Sequence, residues 1–104
     1  MGYYTAYSLE VIDGDDSLIP KLREECEDAE WAIDDEGYCE ESCKWYSHEE
    51  DIRRFSKNNP GVLFKLSGEG EEVGDLWVAY FKDGLMQMCQ AEIVYPPFDK
   101  TKLA

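Results

Sequence analysis

The sequence is poor in positive charge. Lys and Arg number 10 against 24 Asp and Glu, with one histidine, His48. Such a balance repels nucleic acid and acidic membranes, and no basic residues interleave with the aromatics as nucleic-acid binding requires. No apolar run approaches the ~18 residues of a membrane-spanning helix. Met1-Gly2-Tyr3-Tyr4 has neither a basic n-region nor an apolar h-region, so no signal peptide is expected. Ala6 stands where a myristoylation signal needs Ser or Thr. There is no internal repeat, linker or low-complexity tract, and a single domain over 1–104 is expected. Four cysteines in a chain without a secretion signal are expected as reduced thiols or metal ligands in the cytoplasm, not as a disulfide framework.

The charge that is present is unevenly placed. Residues 1–51 hold 17 acids and 3 bases, a net −14; residues 52–104 hold 7 of each, a net zero. The acidic half attracts basic protein surfaces. Three Trp, seven Tyr and four Phe supply enough bulk for a core.

Alternating side chains from Tyr3 to Ile12 predict a strand. After the Asp13-Gly14-Asp15-Asp16 turn, Ser17 is the expected N-cap of a helix running to Ile33, with Pro20 in its first turn. Leu18, Ile19, Leu22, Cys26, Ala29 and Ile33 share its inner face. An acidic loop, 34–41, precedes a short strand over Ser42–Tyr46. Ser47 and Glu50 fit a capping box for a second helix, which ends at Asn58-Asn59-Pro60-Gly61. Val62–Leu66, Leu76–Phe81 and Leu85–Tyr95 read as strands, the last two joined at Asp83-Gly84. The expected class is α+β, a mainly antiparallel sheet with two helices on one face. The order β-α-β-α-β-β-β is that of a ferredoxin-like variant.

Four sets of residues carry chemistry. Cys39, Cys43 and His48 are spaced C-x3-C-x4-H, and structural zinc takes four ligands of this soft type. Zn on Cys26, Cys39, Cys43 and His48 is the expectation, with Cys89 an alternative ligand. The plainer alternative makes Cys26 and Cys89 core thiols. A Cys43–His48 nucleophile is disfavoured, because Glu40, Glu41, Glu49 and Glu50 oppose a thiolate. The run Glu24, Glu25, Glu27, Asp28, Glu30, Asp34 and Asp35 places about one charge per 2.5 Å along a continuous helix, comparable with ~1.7 Å for duplex DNA. Trp31 projects from the middle of that face, as an interface anchor does. The ordinary alternatives are a solvated helix face and a Trp31 folded over a neighbouring element. The fourth set, Gly68-Glu69-Gly70-Glu71-Glu72-Val73-Gly74-Asp75, has no Lys-Ser/Thr and no following helix. It reads as a solvated hairpin loop and not as a phosphate loop or an EF-hand.

Three stretches together, Met1-Gly2-Tyr3-Tyr4-Thr5, ESCKWYSHEEDIRRFSKNNPGVLF (Glu41–Phe64) and GEGEEVGDLW (Gly68–Trp77), resemble a family of small phage and prophage proteins of Gram-positive hosts. In size and acidity the chain is similar in kind to anti-CRISPR proteins that inhibit Cas9. The resemblance transfers no catalytic residue. It implies a non-enzymatic, phage-encoded inhibitor in the host cytoplasm. Glu24, Glu27, Asp28, Glu30, Trp31, Asp34 and Asp35 would then meet the basic groove of a Cas9-type effector and exclude nucleic acid from it. A metal-dependent enzyme of nucleotide or nucleic-acid metabolism, and a host-takeover protein with another basic partner, are the alternatives.

Overall fold

The computed structural model describes residues 3–104. Met1 and Gly2, on which part of the N-terminal reading rests, lie outside them. Strand β1 (Thr5–Asp13) is followed by helices α1 (Leu18–Glu25), α2 (Glu27–Ala32) and α3 (His48–Asn58). Strands β2 (Leu63–Gly70), β3 (Leu76–Lys82) and β4 (Leu85–Gln90) come next, then a 3-10 turn over Lys100–Lys102. The four strands lie in chain order, each antiparallel to its neighbour. The α+β class stands; among the described residues the order is β-α-α-α-β-β-β, without a crossover strand between the helices.

The alternation of the strands sets the layers. Tyr7, Leu9, Phe64, Leu66, Ala79 and Phe81 point to one face and are buried. Ile19, Leu22, Ala29, Ile33, Ile52 and Phe55 close over them from the helical side. Ala6, Ser8, Ser67, Val78 and Cys89 point the other way and are only half-buried. Trp45, between α2 and α3, has no solvent exposure. The Tyr7 ring meets it edge-on at 5.4 Å, and the Tyr7 hydroxyl donates to its carbonyl at 3.1 Å. Gly68 sits between Tyr7 and Trp77 across three strands. A Cβ on Gly68 would come 2.2 Å from the Trp77 ring, so the missing side chain is what lets the indole lie over β2.

Four expected elements differ. The helix expected through Ile33 breaks at Cys26, whose backbone is extended (φ −132°, ψ 111°). The strand expected over Ser42–Tyr46 is reduced to one bridge, in which Thr5 and Cys43 exchange N–H···O bonds of 3.0 Å. The strand expected to Tyr95 ends at Gln90, and β2 continues to Gly70, past the expected strand end at Leu66. The caps differ too. Ser17 and Ser47 make no side-chain cap; Asp15 Oδ1 accepts from Ser17 N–H at 2.9 Å, and the Ser47 hydroxyl turns to Asp51.

Candidate partner-binding face

The acidic face is built on α1, α2 and the loop that returns from them. The break at Cys26 lets α2 start afresh, with Glu27, Asp28 and Glu30 in its first turn, where the helix dipole favours carboxylates. Ala29 and Ala32 are buried beneath, which turns Glu27, Asp28, Glu30 and Trp31 outward. Trp31 is 60% exposed, as its helical phase requires. The loop is tied back by the Glu40 N–H on the Ala32 carbonyl (3.0 Å) and the Asp34 N–H on the Tyr38 carbonyl (2.9 Å).

The seven expected residues divide by role. Asp34 is half-buried, and its Oδ1 accepts from the N–H groups of Glu36 (2.9 Å) and Tyr38 (3.0 Å), so it shapes the loop. Asp35 is drawn to Arg23, whose guanidinium also reaches Glu40 (3.4 Å) and the Glu30 carbonyl (3.1 Å). Glu24, Glu27, Asp28 and Glu30 are exposed and carry no ion pair among the described residues. The outward set is therefore four carboxylates and an indole. Charge density along a continuous helix does not describe them, because Asp34 and Asp35 lie beyond the end of α2.

Two residues escaped the sequence reading. Arg23, 19% exposed, ties α1 to the loop by its side chain. Its isolation among acids from Leu22 to Ser42 was the available signal. Tyr38 is a second exposed aromatic, on the same loop.

Asp51 holds the platform from below. Its Oδ2 accepts from Trp45 Nε1 (2.8 Å), Ser47 Oγ (2.9 Å) and Cys26 Sγ (3.5 Å), and Arg54 reaches its Oδ1 at 3.1 Å. One carboxylate thus joins the helix break, the 39–47 segment and the first turn of α3. Burial pushes the carboxyl up, but hydrogen bonds from Trp45, Ser47, Cys26 and Arg54 outweigh it and hold the group below the usual range.

The expected zinc ligands have separate surroundings. Cys26 faces Asp51, and burial raises its thiol to about 11. Cys39 is exposed and bridges Ile33 through its backbone. Cys43 is half-buried; burial, then the charges of Asp28, Cys39 and Glu41, pushes its thiol up. His48 stacks on Trp77 (5.0 Å, 19°), and its Nδ1 lies 2.9 Å from the Trp45 carbonyl, so Nδ1 carries the proton. Its Nε2 is buried with no hydrogen-bond partner among the described residues. Among those residues no three His, Cys, Asp or Glu side chains are grouped to hold a metal ion. In the hairpin loop, Asp75 is engaged instead by the Tyr3 hydroxyl at 2.5 Å.

No protein-family model, curated protein or solved structure matches the chain. No helix among the described residues is long and apolar enough to cross a membrane.

Proposed function

We propose that the protein acts by binding, as an inhibitor that presents its acidic face to a basic nucleic-acid groove. The observation that carries this reading is the exposed set of Glu24, Glu27, Asp28 and Glu30 together with the Trp31 indole, 60% exposed. Unpaired carboxylates on α1 and α2 mimic the spaced charge of a phosphate backbone and steer a basic partner into place. The exposed Trp31 supplies the apolar anchor that charge alone lacks. The likeness in size and acidity to anti-CRISPR proteins makes a Cas9-type effector the first partner to test, with the chain as an anti-CRISPR protein blocking nucleic-acid loading.

The test is a titration of DNA cleavage by such an effector, with binding measured at low and high salt. Inhibition is expected to be stoichiometric and to weaken steeply with salt. Trp31→Ala should weaken binding by about 2 kcal/mol, roughly 30-fold. Glu27→Lys with Asp28→Lys should abolish it while leaving the fold intact. Binding that is tight at all salt concentrations, or indifferent to these substitutions, refutes the acidic face as the docking surface. Recovery of another basic protein from host lysate, lost with the same variants, keeps the mechanism and moves the target.

A further inference from the structure

A second surface, at the β4 edge of the sheet, is built in the opposite way. Residues 84–98 hold one charged side chain, Glu92, in a chain that is 33% charged. Strand β4 lies in this stretch, at the edge of the sheet. The two-residue Asp83-Gly84 turn makes Lys82/Leu85, Tyr80/Gln87 and Val78/Cys89 the hydrogen-bonded pairs. The Ala91 N–H on the Leu76 carbonyl (2.9 Å) continues that pattern. The N–H and C=O groups of Met86, Met88 and Gln90 therefore face away from β3, with no strand beyond them among the described residues. Natural edges are blunted by charge, proline or a bulge, and β4 has none of these. The opposite edge is different: the 37–43 segment covers β1 through Gly37 and Cys43.

Beyond β4 the chain has no regular secondary structure until Lys100. Ile93 lies by Gly74, and Val94, Tyr95 and Phe98 stand in solvent, Tyr95 at 83%. The radius of gyration is 16.3 Å, where a compact 100-residue domain has about 13 Å, so the segment reaches out from the body.

We propose that β4 and residues 91–98 form the contact of a two-fold homodimer, β4 pairing antiparallel with β4 of a second copy. Charge selects the occupant. The net −14 lies in residues 1–51, whereas residues 52–104 are neutral, so two copies joined at β4 keep their acidic halves at the far ends of one continuous sheet. A basic partner finds nothing on this edge to attract it. Antiparallel pairing about a two-fold is self-complementary, each outward donor meeting an equivalent acceptor. Leu85, Met88, Ile93, Val94, Tyr95 and Phe98 offer on the order of 800 Å² of apolar surface per copy, the size of one side of a stable interface.

The experiment is light scattering on the full chain from about 1 µM to 0.5 mM. A mass of twice 12.0 kDa is expected. Met88→Pro removes an outward N–H and spares the bonds to β3, and should return the mass to 12.0 kDa with unchanged circular dichroism. Tyr95→Ser with Phe98→Ser, outside the core, should raise the dimer dissociation constant at least tenfold and serves if the proline variant misfolds. A 12.0 kDa species throughout overturns the proposal and leaves the edge to a foreign strand. A dimer untouched by the arm variant, or by a folded Met88→Pro, overturns it as well.

Discussion

Asp51 is the residue whose loss should reach furthest. In Asp51→Ala the indole N–H of Trp45, a side chain with no solvent exposure, loses its acceptor at 2.8 Å. An orphaned buried donor costs about 1–3 kcal/mol, and each hydrogen bond lost from a charged acceptor adds about 1 kcal/mol. Ser47 and Cys26 are half-buried and recover part of their bonding from water. The expected loss is about 3 kcal/mol, a large share of the ~5–15 kcal/mol that holds a domain together. Urea unfolding followed by tryptophan fluorescence measures it, and at a slope of ~2 kcal/mol/M the midpoint should fall by roughly 1.5 M. The folded-state carboxyl is held below its usual range despite burial, so its contribution is complete above the unfolded carboxyl pKa of ~3.9. It is lost as pH falls through the lower folded-state value. The gap between wild type and Asp51→Asn should therefore be full at pH 7 and close at strongly acid pH. A midpoint shift worth less than about 1 kcal/mol at pH 7, with an unchanged slope, would refute the role given to this carboxylate.

Other expectations are as direct. Gly68→Ala places a methyl 2.2 Å from the Trp77 ring and should lower stability by about 2 kcal/mol, read as a fall in melting temperature and a changed tryptophan spectrum. Alkylation at pH 8 followed by mass spectrometry should label exposed Cys39 first and Cys26, with its thiol raised to about 11, last. Glu27→Lys with Asp28→Lys should lower the unfolding free energy by about 1 kcal/mol in urea titration, because neither side chain has an ion pair to lose among the described residues but both stand in the first turn of α2, where the helix dipole favours carboxylates.

The local signals in the sequence carried far. Asp83-Gly84 located its hairpin, alternation located β1 and β3, and helical phase turned Trp31 outward. Tertiary contacts decided the remainder. Periodicity runs unbroken through Leu22, Cys26, Ala29 and Ile33, with no glycine or proline to announce a break. The break instead places the Cys26 thiol beside Asp51, 25 residues away. Residues 91–95 keep the composition of a strand, but β3 begins at Leu76 and, after the Ala91 N–H on the Leu76 carbonyl, offers no further partner. Cys39, Cys43 and His48 are close in sequence, yet the start of α3 carries His48 onto Trp77. The acidic set was readable as a group. Its division into four outward carboxylates, one loop-former and one partner for Arg23 was not, since Arg23 acts across turns that spacing does not foresee.

The strictly sequential order of the strands also bears on how the chain folds. β2, β3 and β4 form a meander within residues 63–90, closed by short turns, and its loop-closure entropy is small. β1 pairs with β2 only after the whole helical segment has been looped out, Asp13 meeting Leu63 across 50 residues. Early structure accordingly belongs to the meander, and docking of β1 is the late, non-local event. Weakening the meander, at Ala79 or Leu66, should slow folding in stopped-flow measurements, whereas weakening β1, at Leu9, should chiefly speed unfolding. Helix α3 finds its packing surface on β3 and β4 of the meander, whereas α2 gains its strand neighbour only when β1 closes the loop.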